Sequence, residues 1–571
     1  MSLSNNTSIP LPGVSDNARW ISTGTRMGLI TAIVGAISIW LVRFVQYRRV
    51  SKNLAPNIPR PPFNFLLGNL KAMASIYANC PTDSHPQAAM TLMHRKWNLG
   101  NLWVLDNWPA NPCRQMIVVE PDILAGVFQS LPKHPTMWDY VGHICGDTSI
   151  LFGDNDETWK QRRALFNPGF SFAHIMTQVP SIVEDTSVFF DVLGEIADFK
   201  KIVPLEEYAA RVTIDIMGHI VLDHDLNSQR TKNPFVEAFR GSISWTPSVI
   251  ATNPLVQLNL FRPFMQRLYA KRMDSYLEKV LDDRYANRGD VPKIRKGRKP
   301  AIDLALDEYA LQKGFGVSGS ARKIDKAFKR VALDQMRTFL FAGHDTSSST
   351  ICYIYHLLNT HPEALAKTRQ EHDLVFGSGT NGKDVGRQLQ DDASLVNQLP
   401  YTLAVIKETL RLFPPGTPVR EGKKGVSITY NGVDYPTENF MVFLPTHTIH
   451  RRADLFPCPD EFIPERFITG PESYQEIPKD AWRAFEKGPR ACIGQELALL
   501  EMKIILAMTL RDFDIKAEYE EWDRMHGRDK PGDVLEGRRG VLGERAYQVL
   551  VASAKPADGM PVRIQRRMPS P

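Results

Sequence analysis

Cys492 lies in a stretch whose neighbours suit a metal-binding thiolate: the fourteen residues from Phe485 to Ala498 read FEKGPRACIGQELA. An isolated cysteine is ordinarily a small buried hydrophobe, so the case lies in what flanks it. Gly488 and Gly494 allow tight turns on both sides of the sulfur, which lets backbone N–H groups face an anionic sulfur and temper its basicity. Arg490 can offer a planar, bidentate cation to a carboxylate. The following IGQELALLEMKIILAMTL begins a helix, and its positive end further favours a thiolate.

Four more stretches carry candidate chemistry. In Phe341-Ala342-Gly343-His344-Asp345-Thr346-Ser347, within the longest helical pattern, Ala342 and Gly343 leave room for a ligand beside the helix. Thr346 can divert a backbone hydrogen bond and bend it. The plain alternative is a polar helix with hydroxyl back-bonding. Glu408 and Arg411 share a helical face at i, i+3; taken alone they are a solvated ion pair of small worth. Trp159 and Arg163 also share a face. Arg420 ends LRLFPPGTPVR, whose prolines hold an extended strand. A lone histidine such as His344 is more often a satisfied polar group than a ligand.

These motifs resemble those of the cytochromes P-450, whose pattern F-x-x-G-x-R-x-C-x-G-x-x-x-A is met at Phe485, Gly488, Arg490, Cys492, Gly494 and Ala498. The resemblance implies haem b, with Cys492 as axial ligand of the iron and Phe485 packed over it. Such a thiolate donates electron density through iron and favours O–O cleavage. The resemblance also implies that Ala342, Gly343 and Gly494 face the cofactor, and that Arg490, Trp159, Arg163 and Arg420 bind its propionates, with His450 a further candidate. Asp345 and Thr346 would relay protons during dioxygen activation. Glu408, Arg411 and the Arg466 of Pro464-Glu465-Arg466-Phe467 would form a buried structural network. The implied fold is mainly α with small β-sheets (α+β), its helices enclosing a buried haem. The implied activity is that of a monooxygenase. Because no flavin domain follows in the sequence, electrons from NADPH are expected through a separate NADPH-cytochrome reductase. Two other readings stand beside this one: a haem-binding sensor or electron carrier without turnover, and peroxide rearrangement without external electrons.

The elements that must position these residues are partly legible. A helix is expected over Asp334–Leu358, another from a Thr360–Glu363 capping box, and a third from about Val396 to Leu412. Asn431-Gly432 between VSITY and VDY predicts a hairpin. Tyr547–Ala552 and Pro561–Gln565 predict two short strands around Gly559. No internal repeat is found.

With 571 residues and 43% hydrophobic content the chain can bury a full-sized core. A net charge of +6, from 69 Lys and Arg against 63 Asp and Glu, is too mild and dispersed to argue for nucleic acid as a partner. The six cysteines show no CxxC pair and no zinc spacing. Met27–Val42 carries no charge, and the apolar character extends over Ile21–Val45 if Arg26 and Arg43 snorkel. Arg43, Arg48, Arg49 and Lys52 follow directly, so the segment is expected to be an uncleaved anchor with the body in the cytosol. The expected order is a short lumenal N-terminus (1–20), a transmembrane anchor (21–45), a basic and Pro-rich linker (46–62) and a catalytic domain (63–571). The expected location is the endoplasmic reticulum membrane, single-pass, in contact with membrane lipid. Asn5 and Asn6 begin sequons. Lys293–Lys299 is a basic run, expected to be a solvated loop.

The resemblance draws a substrate pocket from Trp138–Phe152, Trp245–Phe264, Phe339–Thr346, Pro415–Val419 and Lys555–Met560. Aromatic and aliphatic lining favours a lipophilic substrate. HPTMWDYVGHICGDTSILFGDNDETWKQRRALFNPGFS and AGHDTSSST resemble enzymes of filamentous-fungal secondary metabolism. That similarity implies hydroxylation, epoxidation or desaturation of a polyketide or terpenoid-like intermediate, such as a mycotoxin precursor. A fatty-acid or alkane hydroxylase is the alternative.

Overall fold

The computed structural model describes residues 23–53, 58–108, 113–126, 130–247, 259–286, 299–312, 324–468, 474, 476–528 and 540–567. The expectations for residues 1–20, for the sequons at Asn5 and Asn6, for 293–298 of the basic run and for 248–258 of the apolar stretch lie outside the described residues. The chain divides into two units, Met1–Asn57 and Ile58–Pro571.

The first unit holds one helix, Thr23–Asn53. Its Gly28–Arg49 portion has a mean hydropathy of 2.0, with Ile30, Val34, Trp40 and Val42 exposed. The helix continues through Arg48, Arg49 and Lys52, past the expected end at Val45. No proline or glycine interrupts the sequence there, so the first part of the expected linker is helical.

In the second unit, the 35-residue helix Lys326–Thr360 is the central element. Asp325 caps it by accepting from the Phe328 N–H at 2.7 Å. Helices Leu205–Leu222, Pro400–Leu412 and Gln495–Thr509 pack against it, and helix Val179–Phe199 packs against both Leu205–Leu222 and Gln495–Thr509. Leu340, Ile351 and Ile354 are fully buried, each such side chain contributing about 1.5–3 kcal/mol. Polar residues are tolerated in this buried helix because their hydroxyls bond the preceding turn: Thr346 Oγ1 donates to the Ala342 carbonyl at 2.8 Å, and Thr350 Oγ1 to that of Thr346 at 2.9 Å.

Eleven short strands are described: β1 (Leu102–Leu105), β2 (Arg114–Val118), β3 (Ile202–Pro204), β4 (Val419–Glu421), β5 (Ser427–Tyr430), β6 (Val433–Pro436), β7 (Phe440–Phe443), β8 (Phe513–Ala517), β9 (Gln548–Val551), β10 (Ser553–Pro556) and β11 (Pro561–Arg566). They form a four-stranded sheet β1-β2-β7-β4, a three-stranded sheet β3-β11-β8 and the pairs β10-β9 and β5-β6. Among the described strands only β2 and β7 run parallel. Pairing of Arg420 with Val442 across β4 and β7 fixes that arginine on the first sheet.

The mainly helical expectation with small sheets holds, and so does the β5-β6 hairpin. Asn431 (φ 51°) and Gly432 (φ 75°) take the positive φ values that its two-residue turn requires. Three local expectations are corrected. Thr360 does not cap the next helix: it closes the long one, its hydroxyl donating to His356 and Leu357 carbonyls at 3.1 Å, and His361 occupies the N-cap of Pro362–Phe376. The helix expected from Val396 is split into a 3-10 turn, Ala393–Gln398, and the helix Pro400–Leu412, whose Pro400 has no N–H to continue the turn before it. The two expected C-terminal strands are present as β9 and β11, but they do not pair with each other around Gly559. β9 folds back onto β10 through Ala552 (φ 63°), while β11 pairs with β3 and β8.

Candidate functional site

A cavity lies between the long helix and the cysteine loop. The long helix contributes Phe339, Ala342, Gly343 and Thr346 to one wall. Phe485, Arg490, Cys492 and Gly494 form the opposite wall, continued by Leu497, Ala498 and Glu501 of helix Gln495–Thr509.

The loop folds as its glycines allow. Gly488 takes φ 75°, and the Cys492 N–H donates to the Phe485 carbonyl at 2.8 Å, which turns the sulfur into the cavity. The thiol is open to that cavity yet enclosed by protein. Burial raises its pKa, while the Gly494 N–H and Arg163 pull it back towards the thiolate. Phe485 lies beside it, its ring edge-on to Trp482 at 5.9 Å.

Cations crowd one end. Arg163 donates to the Ala491 carbonyl at 2.7 Å, and Arg490 stacks over the Trp159 ring at 3.9 Å. Arg490 also donates to the carbonyls of Ile150, Phe152 and Gly153 and to Asn155. The Trp159 indole N–H donates to the Ile150 carbonyl at 3.0 Å, so this tryptophan supports Arg490 and shapes the wall. Arg420 is fully buried and does not itself line the cavity, and its strand bridges Lys133, which does. Burial lowers Arg490 to about 9, and Arg420 and Arg163 add to it; burial lowers Arg420 to about 10, with Glu486 opposing and Arg483 adding. Lys133 is pushed well below the ordinary lysine range by burial, then by Arg420 and Arg490. A soft thiol on one wall and crowded, partly desolvated cations at its edge fit a planar group that carries a metal and peripheral carboxylates.

Gly343, Ala342 and Thr346 line the cavity as expected; Asp345 does not. A methyl placed at Gly343 would overlap the Met217 side chain of helix Leu205–Leu222, so this glycine also permits a close helix crossing. Asp345 is buried in an ion pair with Lys555 at 2.8 Å, and Lys555 also pairs with Glu206. His344 bonds the Leu340 carbonyl at 2.8 Å and stays out of the cavity.

Glu408, Arg411 and Arg466 come together as expected. Arg411 donates two bonds of 2.7 Å to Glu408, and Arg466 lies 3.3 Å from the same carboxylate. Arg411 also donates to the carbonyls of His450, Pro459 and Glu461. His450 belongs here: its Nε2 accepts from the Arg483 N–H at 2.9 Å, and burial lowers its pKa to about 3. It is absent from the cavity wall, which corrects its candidacy there. Of the expected pocket stretches, Ile150, Leu151 and the long helix contribute to this cavity, while Pro415–Val419 and Lys555–Met560 do not.

Sequence reasoning passed over Lys133, Glu206 and Glu501, and gave Lys555 no charge partner. Glu501 had a legible signal: it continues the Gly494, Leu497, Ala498 face at i+7, a carboxylate on an otherwise apolar stripe. The others come from distant segments, and nothing in their local sequence marks them.

A family model described as Cytochrome P450 matches residues 59–535. The chain is 39% identical to a protein named cytochrome P450 monooxygenase acrF of Aspergillus aculeatus, over 86% of this chain and 99% of the relative. It is 34% identical to cytochrome P450 monooxygenase polC of Polytolypa hystricis, over 93% of each. Among solved structures, the crystal structure of a cytochrome P450 (CYP102L1) superposes with a TM-score of 0.65 at 21% identity, over 86% of this chain and 98% of that one.

Proposed function

The chain belongs to the cytochrome P450 family, and from that premise we propose a membrane-anchored monooxygenase that oxidises a lipophilic intermediate of fungal secondary metabolism. Monooxygenase activity, haem b and reductase-supplied electrons go with the family. The sensor reading loses its footing with that assignment. The substrate class rests on the fungal relatives and on the apolar wall made by Phe339, Leu151 and Ile150. Hydroxylation, epoxidation and desaturation of a polyketide or terpenoid-like skeleton all fit that wall.

The single observation that carries the reading is Cys492, whose sulfur faces the cavity opposite Thr346. When bound, haem supplies the dioxygen chemistry through its thiolate-held iron. The residues do the rest. Cys492 ligates the metal, with the Gly494 N–H and Arg163 favouring the anion. Lys133, Arg163, Arg420 and Arg490 hold the carboxylates, and Phe485 packs beside the sulfur. Ala342 and Gly494 have no bulk to obstruct the planar group. The Thr346 hydroxyl lines the cavity and can turn its proton there from the Ala342 carbonyl, and Asp345 acts behind it through its pair with Lys555.

The helix Thr23–Asn53 supports an anchor in the endoplasmic reticulum membrane, with residues 1–20 lumenal, 21–45 spanning, 46–62 as linker and 63–571 as the cytosolic catalytic domain. Its basic residues Arg43, Arg48, Arg49 and Lys52 favour that orientation. NADPH-cytochrome reductase is the proposed electron donor.

Two measurements test the reading. Purified protein binds haem and gives a thiolate-type ferrous carbon monoxide spectrum, which Cys492→Ala loses; an unchanged spectrum would rule out the ligand assignment. Deletion of the gene leads to accumulation of a lipophilic precursor that differs from the lost product by an oxygen atom or two hydrogens. Accumulation of a simple fatty acid instead would move the assignment to chain hydroxylation.

A further inference from the structure

The apolar wall of the cavity hangs on a polar brace. Ile150 and Leu151 face the cavity, and they belong to residues 146–152, which follow helix Thr136–Cys145 without forming helix or strand themselves. A connecting segment is ordinarily the adaptable part of a binding site. Here it is committed to one face of the long helix. Gln335, fully buried, pairs with it as a peptide of a neighbouring strand would: Oε1 accepts from the Ile150 N–H at 3.0 Å, and Nε2 donates to the Thr148 carbonyl at 2.7 Å. Asp334, also fully buried, divides its carboxylate. Oδ2 accepts from the Thr148 N–H and hydroxyl at 2.9 and 2.8 Å, and Oδ1 accepts from Arg330. A methyl at Gly146 would overlap that carboxylate, and the residue takes φ 82°, so only glycine lets the segment approach this closely.

The other side of Ile150 is fixed as well. Its carbonyl accepts from the Trp159 indole N–H at 3.0 Å and from Arg490 at 3.2 Å, so its N–H ties it to the long helix and its C=O to the cationic end of the cavity. Outward, Arg330 and Arg337 of the long helix share Asp274 of helix Arg262–Ala286 at 2.8 and 3.0 Å, and Arg337 donates to the Ile144 carbonyl at 2.7 Å. Apolar packing alone would let such a segment slide, whereas buried hydrogen bonds set both distance and angle. Asp334 and Gln335 stand outside the cavity wall, and what they govern is the position of the side chains that form it.

We propose that Asp334 and Gln335 are specificity-determining positioning residues: by locking Thr148 and Ile150 they hold Ile150 and Leu151 as a wall of fixed depth, so that the cavity sorts lipophilic molecules by their breadth. Loosening the brace lets the wall recede and admits broader skeletons, without altering the groups around Cys492. This inference rests on the haem-monooxygenase reading only in using the iron as a reporter; the brace itself is a property of the chain.

The test uses full-length, haem-loaded protein titrated with two iron-binding probes, unsubstituted imidazole and a biphenyl-substituted imidazole, read by the shift of the haem absorption band. In Gln335→Leu and in Thr148→Val the affinity for the broad probe is expected to rise several-fold relative to imidazole, while haem content stays at the wild-type level. Thr148→Ser, which keeps the hydroxyl bond to Asp334, is expected to keep the wild-type ratio. Backbone amides of residues 146–152 should exchange with deuterium oxide about 5-fold faster in Thr148→Val, the size of one lost hydrogen bond. A ratio unchanged or lowered in both variants overturns the proposal. Faster exchange with an unchanged ratio overturns it too, because the brace would then serve the fold alone. If Gln335→Leu fails to retain haem, Thr148→Val decides. Failure of the thiolate reading would show separately, in the carbon monoxide spectrum of Cys492→Ala, and would leave the exchange measurement standing.

Discussion

Arg411 and Arg490 are both buried arginines of the same unit, yet their surroundings differ in kind. Around Arg411 the protein supplies its own answer: Glu408 takes two of its hydrogen bonds and carbonyls of three residues take others. Arg490 likewise bonds the carbonyls of Ile150, Phe152 and Gly153 and the Asn155 side chain, but among the described residues no carboxylate pairs with it there; Arg420 and Arg163 repel it, and the net effect on Arg490, Arg420, Arg163 and Lys133 is to disfavour the charge of each. A closed network of this kind holds a shape. A crowd of like charges at the edge of a cavity is arranged for something anionic that binds there.

That contrast can be broken at several points. The largest effect is expected from Glu408→Gln, which leaves Arg411 and Arg466 without their counter-charge and should cost about 3–5 kcal/mol; a wild-type thermal midpoint would show that the network is dispensable. Lys133→Met should do the opposite to the empty protein, leaving its stability unchanged or raised, while weakening haem retention about 10-fold. Measured haem transfer to an acceptor protein checks this, and equal retention would remove Lys133 from the carboxylate site.

A pH experiment follows in size. The Glu501 carboxyl has its folded pKa raised from 4.5 to about 8, so the folded chain holds the extra proton between those values. Its contribution is present below 4.5 and is lost as pH rises to 8. His219, raised from 6.5 to about 9, likewise stabilises below 6.5 and loses that as pH rises through 9. Denaturant unfolding should thus weaken from pH 5 to 9, and Glu501→Gln should flatten the lower part of that decline. The smallest effect belongs to the exposed Arg230–Glu195 pair, where the side chains are 41% and 56% exposed. Arg230→Ala should cost less than about 1 kcal/mol, and a loss comparable to Glu408→Gln would undo the distinction between buried and surface charge.

The two clusters also differ in how legible they were. Glu408 and Arg411 announce a shared helical face by their spacing, and Cys492 is marked by the glycines and arginine around it. The cationic end is not local: Lys133, Arg163, Arg420 and Arg490 come from four separate segments, so their convergence exists only in the fold. The C-terminal strands were recognised by alternation, but alternation carries no information about partners, and β10 inserted itself between the two expected strands. Thr360 satisfied the letter of a capping box, yet its hydroxyl was already committed to the preceding turn.

The contact between Gly343 and Met217 bears on how this chamber can be re-engineered. A missing side chain on one helix sets how deeply a flexible thioether on another can settle. Libraries diversified at 217 should therefore yield catalysts of altered selectivity that remain well folded, whereas an added side chain at 343 must displace the Met217 thioether and so reshapes the same wall from the other side.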